Sequence, residues 1–117
     1  MDPEALANKR REYRKLLDYS VREIVAKLSR SNVRRISLFG SYARGKVDLF
    51  TDLDVLVIMD TDKSFAERVP EIYSLLSLPV DADILCYTPQ EFARMKETPF
   101  LKRALADEVI LYEKRPA

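Results

Sequence analysis

The sequence predicts an α+β domain in which a small mixed β-sheet is flanked by helices. Segments with helical apolar periodicity are mingled along the chain with short apolar or alternating runs that are typical of strands. The 117 residues suffice for one compact domain, residues 1–117, and leave no room for two. Hydrophobic residues are 47% and charged residues 33% of the chain, which excludes a disordered or fibrous protein.

The first predicted element is an N-terminal amphipathic helix within residues 1–30, beginning near residue 4. Its apolar side chains recur at three- and four-residue spacings and form one stripe. The stripe consists of Tyr13, Leu17, Val21, Ile24 and Leu28. It suggests a surface through which the domain could self-associate into a homo-oligomer or dock a partner.

Two predicted strands follow the N-terminal helix along the chain, at residues 33–39 and 53–59. Residues 33–39 alternate in polarity, and residues 41–46 form a short helix or turn closed by Gly45. The unbroken apolar run inside strand 53–59 predicts burial on both faces of the sheet. Residues 64–77 then have a helical period, in which Pro70 marks a kink or the first turn.

The C-terminal part predicts a third strand, two helices and a last strand. The third strand spans residues 80–87. Thr88 as N-cap, Pro89 at the first position and Glu91 as the closing residue start a helix that ends near residue 97. A C-terminal helix and strand occupy residues 98–113, with the helix at 99–106 and the strand at 108–112.

Composition excludes several kinds of chemistry. The chain has no histidine, which excludes Ser-His-Asp catalysis, a histidine general base and histidine zinc sites. Its one cysteine, Cys86, excludes an internal disulfide and is expected to be a small core residue. Any reaction must therefore depend on carboxylates, basic groups, hydroxyls and backbone amides.

The net charge of +1 conceals two opposed segments. Residues 31–46 contain four basic side chains and no acid, and residues 47–62 contain five acids and no base. The charges cancel overall, so nothing in the balance favours nucleic acid, and we do not expect nucleic-acid binding. No apolar run is long enough to span a bilayer and the N-terminus has no signal core, so we expect a cytoplasmic protein without a membrane partner.

The chemistry is concentrated where the charge changes sign. Asp52 and Asp54 are two residues apart at the start of a strand, so their side chains share one face. Two neighbouring carboxylates repel each other unless a cation lies between them, and hard oxygen ligands suit Mg²⁺ or Mn²⁺. Asp81 and Asp83 both open the third strand. Either could supply a third carboxylate, and Asp83 has the stronger case because it directly precedes the apolar run of that strand.

The preceding turn has the complementary chemistry. A strand that ends at Gly40 and continues into Ser41 exposes backbone N–H groups and lets a phosphate approach closely. Arg44 and Lys46 follow where they could neutralise a polyphosphate. An anion site beside a metal site is the arrangement that phosphoryl and nucleotidyl transfer require.

Gly40-Ser41, ten further residues and then Asp52-x-Asp54 resemble the signature of the DNA polymerase β-like nucleotidyltransferase superfamily. The short chain, the form Gly-Ser-Tyr-Ala-Arg-Gly and the strand of Asp83 are similar to its minimal nucleotidyltransferase branch. The resemblance covers a core of residues 33–91. The extra acid Asp81 departs from the pattern and leaves the third ligand open.

The resemblance implies a Mg²⁺-dependent nucleotidyltransferase with two metal ions. Gly40 and Ser41 would hold the triphosphate of ATP or another NTP, and Asp52, Asp54 and Asp83 would hold the metals. AMP would be transferred from ATP to a hydroxyl, with tyrosine of a HEPN-domain toxin as an acceptor. The alternative is an antitoxin that neutralises a HEPN-type partner mainly by binding, with weak or no catalysis.

Overall fold

The computed structural model describes residues 2–115, which form five helices and four strands. No helix in this part of the chain combines the length and apolar character that crossing a membrane requires. The elements are α1 (Pro3–Leu28), β1 (Val33–Phe39), α2 (Gly40–Ala43), β2 (Leu53–Met59), α3 (Phe65–Leu75), β3 (Ala82–Tyr87), α4 (Pro89–Met95), α5 (Pro99–Ala106) and β4 (Val109–Glu113).

The four strands form one mixed sheet in the order β3-β2-β1-β4. β1 is antiparallel to both β2 and β4, whereas β2 and β3 are parallel. The parallel pair is connected by a crossover through α3, because parallel strands cannot be joined by a tight turn. The predicted α+β class with a small mixed sheet flanked by helices is confirmed.

Helices cover both faces of the sheet. Alternate residues of β2 belong to separate core clusters, with Val55 and Val57 facing one side and Leu56 and Ile58 the other. The first cluster includes Leu17, Ile24 and Leu28 of α1 and Ile72 of α3, whereas the second includes Leu101 of α5. The predicted two-sided burial of strand 53–59 is therefore confirmed, and Cys86 is a fully buried core residue as expected.

The helix α3 corrects one expectation. It begins at Phe65, so Pro70 lies inside the helix and not in its first turn. The start is set by Ser64, whose hydroxyl donates to Glu67 at 2.7 Å and whose N–H donates to the same carboxylate at 3.4 Å. The third strand also begins two residues later than predicted, at Ala82.

A buried ion pair connects α3 to the start of α4. Arg68 is 7% exposed and donates to Glu91 at 2.5 Å, and Glu91 also accepts from the Thr88 N–H at 2.8 Å. These two donors hold the pKa of Glu91 below its usual range. The stabilisation from Glu91 is therefore complete above the usual glutamate pKa and is lost as pH falls through the lowered value.

Exchange of Arg68 for Ala is expected to lower the free energy of unfolding by about 3 kcal/mol, because it leaves a partly buried carboxylate without its partner. Urea denaturation at pH 7 measures the loss. Arg34→Ala is the matched control, since its pair with Asp60 is exposed and contributes less than about 1 kcal/mol. Equal losses in the two variants would contradict the prediction.

Candidate active site

The site is built around the junction of β1 and α2. The last residue of β1, Phe39, pairs with Asp54 on β2, so Gly40 follows beside that carboxylate. Gly40 has φ +75°, a conformation that favours glycine. A Cβ on Gly40 would overlap Oδ2 of Asp54 and come within 3.1 Å of its Cγ. A side chain at this position would therefore strain the backbone and displace the Asp54 carboxylate.

A tight turn follows Gly40. The N–H of Arg44 donates to the Gly40 carbonyl at 3.1 Å, and the N–H of Lys46 donates to the Ser41 carbonyl at 2.9 Å. Gly45 has φ +79° and completes the turn. The predicted short helix or turn over residues 41–46 is confirmed, with the helix itself at Gly40–Ala43.

The acidic side chains come from two parallel strands. Asp54 on β2 is the register partner of Asp83 on β3. Neighbouring strands are about 4.8 Å apart, so these two side chains lie close together. Asp52 directly precedes β2 and is exposed. The structure thus brings Asp83 beside the Asp52-x-Asp54 pair, although Asp83 follows Asp54 by 29 positions in the sequence.

An open cavity of about 550 Å³ adjoins Asp52 and Asp83. We call it the carboxylate cavity. Its lining combines three acidic side chains with apolar side chains and one tyrosine. Its lining is Asp52, Tyr73, Leu76, Leu78, Val80, Asp81, Ala82 and Asp83.

The pKa of Asp54 depends on the charges of other predicted site residues. Burial raises the pKa of Asp54, and the charges of Asp83 and Asp52 raise that pKa further. Arg44 acts in the opposite direction and lowers it. The two carboxylates and the arginine are therefore all close enough to Asp54 to affect its proton affinity.

Asp81 also belongs to this region. It is exposed, it lines the carboxylate cavity, and its backbone carbonyl accepts from the N–H of Leu53 at 3.1 Å. Its side chain adds a negative charge beside Asp83. The register of the parallel strands pairs Asp83, and not Asp81, with Asp54.

The basic segment 31–46 is not one patch in three dimensions. Arg34 pairs with Asp60 at 2.8 Å, near the opposite ends of β1 and β2 from Gly40. Arg35 pairs with Glu108 at 3.1 Å. Only the exposed Arg44 and Lys46 remain at the turn. One basic residue of the first segment, Arg34, is therefore neutralised by an acid of the second segment, and Arg35 is neutralised by an acid from the C-terminal part of the chain.

Arg44 does not pair with Asp48, an acid four residues further along the chain. Its guanidinium lies 3.3 Å from Asp107, at the end of α5, and 3.4 Å from the Ser41 hydroxyl. Asp48 instead caps its own loop, where it accepts from the N–H of Phe50 at 2.8 Å. The Asp48 carboxylate therefore bonds to the backbone of its own loop and not to Arg44.

Helix α1 and helix α3 each contribute a tyrosine that contacts the backbone beside the aspartates. Tyr13 donates to the carbonyl of Thr51 at 2.7 Å, directly before Asp52. Burial, and then the charges of Asp52, Asp81 and Asp48, raise its pKa. Tyr73 donates to the Ala82 carbonyl, between Asp81 and Asp83.

Tyr42, next to Ser41, donates to Asp18 of α1, and burial followed by this hydrogen bond raises its pKa to about 12. Helix α1 therefore contacts both the turn at Gly40 and the loop before Asp52. These contacts join residues 24 and 38 positions apart, and no local signal in the sequence identifies them.

The donor set fits a hard divalent cation whose coordination is shared with a ligand. Within residues 2–115, no three acidic or cysteine side chains are gathered closely enough to form a complete metal site by themselves. Mg²⁺ commonly uses one or two carboxylates and takes its other ligands from water and substrate phosphates. The mutual repulsion at Asp54 and the oxygen chemistry of its neighbours agree with that kind of site.

The sequence model of the family described as "Nucleotidyltransferase domain" matches residues 19–116, which is most of the chain. The chain belongs to the nucleotidyltransferase domain family. It is thus a transferase by family, and divalent metals are typical of such enzymes. The matched range starts inside α1, so the residues of that helix that contain Tyr13 lie outside it.

One relative of this nucleotidyltransferase is a protein of Methanocaldococcus jannaschii named "putative protein adenylyltransferase". The two are 32% identical over 90 residues, which is 76% of this chain and 89% of the relative. The shared region therefore spans nearly all of the relative.

Solved structures share the fold of this nucleotidyltransferase. One is a "putative nucleotidyltransferase" of Sulfolobus solfataricus, with TM-score 0.57, 19% identity and coverage of 97% of this chain and 91% of that one. Another is a toxin–antitoxin with AMP-PNP, with TM-score 0.57, 20% identity and coverage of 81% and 74%. A mutant of the toxin–antitoxin MntA-HpeT has TM-score 0.56, 19% identity and coverage of 84% and 73%.

Proposed function

We propose that this nucleotidyltransferase transfers AMP from ATP to a hydroxyl of a partner protein, with Mg²⁺ as cofactor. The observation that carries the proposal is the contact of Gly40 with Asp54 and the register of Asp54 with Asp83. This geometry joins a glycine turn suited to phosphate with carboxylates suited to a metal. The name of the 32% identical relative supports a protein as acceptor.

Each residue has a defined role in the proposal. Backbone N–H groups at Gly40 and the Ser41 hydroxyl bind the triphosphate, and Arg44 and Lys46 offset its negative charge. Asp52, Asp54 and Asp83 hold the divalent ions, of which the family resemblance implies two, and Mn²⁺ has suitable chemistry as well. The bound metal would offset the charge of the transferred phosphoryl group.

The reaction balances with groups of this chain and the two substrates. The acceptor oxygen forms a bond to the α-phosphorus of ATP, and the bond from that phosphorus to the α,β-bridging oxygen breaks. The electron pair leaves with pyrophosphate. The hydroxyl proton passes to the carboxylate of Asp83, which borders the carboxylate cavity where an acceptor side chain can enter.

The proposed acceptor is a tyrosine of a HEPN-domain toxin, and the proposed setting is a toxin–antitoxin pair in the cytoplasm. The two structural neighbours that are toxin–antitoxin complexes, one of them with AMP-PNP, support this choice. The apolar wall of the carboxylate cavity, formed by Leu76, Leu78 and Val80, suits an aromatic acceptor.

Incubation with labelled ATP, Mg²⁺ and the protein encoded beside this chain tests the proposal. Label from the α-phosphate should appear on the partner, and label from the γ-phosphate should be released as pyrophosphate. Chelation of Mg²⁺ should stop the transfer. Absence of transfer together with absence of ATP binding would overturn the proposal.

A further inference from the structure

Tyr73 of α3 is the one residue with a side-chain hydroxyl among the described residues that line the carboxylate cavity. This hydroxyl donates to the backbone carbonyl of Ala82, directly before Asp83. Burial, and then the charges of Asp83 and Asp81, raise the pKa of Tyr73, so both carboxylates lie close enough to affect its phenol oxygen. The cavity therefore contains a tyrosine of this chain itself, the kind of side chain that the proposed function needs as acceptor.

The order of the strands places Tyr73 on the side from which an acceptor must approach. Gly40 follows β1 and Asp83 lies on the edge strand β3, with β2 and its Asp54 between them. In phosphoryl transfer the attacking oxygen and the leaving oxygen lie roughly in line on opposite sides of the phosphorus. If Gly40 binds the triphosphate, the attacking hydroxyl comes from the side of β3. Tyr73 lies on that side, because its hydroxyl contacts the first residue of β3.

The other five tyrosines of the chain are placed differently, since none of them lines the cavity. Tyr13 and Tyr42 donate to groups outside the cavity lining, and Tyr87 is buried. Tyr19 on α1 is 43% exposed, close to the 39% of Tyr73. Its exposure matches that of Tyr73, but it does not adjoin the carboxylates. Position, and not exposure, therefore distinguishes Tyr73.

We propose that this chain adenylylates its own Tyr73 in addition to a partner protein. The inference rests on the proposed function, because the donor, the cofactor and the carboxylates are those of that reaction. Tyr73 and Asp83 line one cavity of one chain, so the transfer is intramolecular and needs no encounter with a second protein.

The step balances with ATP as the one co-substrate. The Tyr73 side chain rotates away from the Ala82 carbonyl, and its phenol oxygen forms a bond to the α-phosphorus of ATP. The bond from that phosphorus to the α,β-bridging oxygen breaks, and the electron pair leaves with pyrophosphate. The phenol proton passes to the carboxylate of Asp83. The product is a phosphodiester between Tyr73 and AMP, inside the carboxylate cavity.

Incubation of the chain alone with Mg²⁺ and ATP labelled at the α-phosphate tests the inference. The intact mass should rise by one adenylyl group, and peptide mapping of the native chain should locate that group on Tyr73. The labelling rate per chain should stay constant on dilution, because the reaction is intramolecular. No adduct, an adduct on a different residue, or a rate per chain that rises with protein concentration would overturn the inference.

Tyr73→Phe keeps the ring, loses the nucleophile, and should lower labelling by about tenfold or more, because no other tyrosine has this position. Tyr19→Phe is the matched control and should be labelled as the native chain is. Asp54→Asn should not be labelled, since the transfer needs the carboxylates of this chain. Circular dichroism melting checks that each variant folds. Equal labelling of Tyr73→Phe and Tyr19→Phe, or undiminished labelling of Asp54→Asn, would contradict self-adenylylation.

A parallel assay with the protein encoded beside this chain separates the inference from the proposed function. Label on the partner, with none on Tyr73, would overturn self-adenylylation and leave the proposed function standing. Label on Tyr73, with none on the partner, would support self-adenylylation and count against a partner protein as acceptor. Absence of label from both proteins would overturn both.

Discussion

Replacing Asp54 by Asn is expected to abolish nucleotidyl transfer while the protein stays folded. Asp54 contacts Gly40 and is the register partner of Asp83, so it lies between the proposed anion and metal sites. Asparagine keeps the size of the side chain but loses the charge that a divalent ion needs. Transfer measured with labelled ATP should fall by on the order of a thousandfold or more.

The stability of Asp54→Asn should not fall together with its activity. The pKa of Asp54 is raised by burial and then by the charges of Asp83 and Asp52. A raised pKa means that the stabilisation from this group is complete below the usual aspartate pKa and is lost as pH rises through the raised value. Asparagine has no such loss, so the variant at pH 7 should melt at the same temperature as the native chain or above it.

The matched control is Asp62→Asn, an exposed aspartate in the loop that follows β2. It should leave both transfer and the melting temperature unchanged. Transfer by Asp54→Asn at the rate of the control would contradict the assignment of Asp54. Neutralisation of a toxin that survives Asp54→Asn, with transfer lost, would favour the antitoxin that acts by binding.

Replacing Gly40 by Ala is expected to remove most of the activity, whereas Gly45→Ala is not. Both glycines have a positive φ, so alanine adds backbone strain of about 1 kcal/mol at either position. At Gly40 the new Cβ would also displace the Asp54 carboxylate, but at Gly45 no atom lies within 4 Å of it. A displacement of about 1 Å at a reacting group lowers the rate by about a hundredfold.

Comparing Gly40→Ala with Gly45→Ala separates backbone strain from displacement of the Asp54 carboxylate, because the strain is present in both variants. Urea denaturation should show similar losses of stability, since the end of the Asp54 side chain can rotate away from the new Cβ. Transfer assays should show the large loss for Gly40→Ala and a change of at most about threefold for Gly45→Ala. Equal activities would show that the contact between Gly40 and Asp54 is unimportant.

Much of the fold was predictable because its signals are local. Strands 33–39 and 53–59 and helix 99–106 were predicted with the bounds that the structure gives, since each has a clear apolar period and turn-forming flanks. The predicted start of α3 at residue 64 is one residue from the observed start at Phe65, where the capping pair of Ser64 and Glu67 begins the helix. The alternative that Pro70 lies in the first turn was wrong, because the helix begins five residues before it.

The site was predictable in part for the same reason. Gly40, Ser41, Asp52 and Asp54 lie within one short stretch, and the i and i+2 spacing of the aspartates follows from strand geometry. Their roles remain predictions. The contact of Tyr13 with Thr51 and the pairing of Arg44 with Asp107 could not be predicted, because a helical tyrosine or a surface arginine looks the same in the sequence whether it faces a site or solvent.

By itself, the sequence determined the element types, the absence of histidine chemistry, the Gly-Ser turn and the Asp-x-Asp pair. Tertiary structure decided that β3 lies parallel to β2, which brings Asp83 beside Asp54. It also decided that α5 reaches the turn at Gly40 and that α1 contacts the loop before Asp52. The physical reason is the sequence separation of the interacting residues. Periodicity and capping involve residues only a few positions apart, so they can be recognised in a short stretch of sequence. Strand order and contacts between distant side chains depend on how whole elements pack.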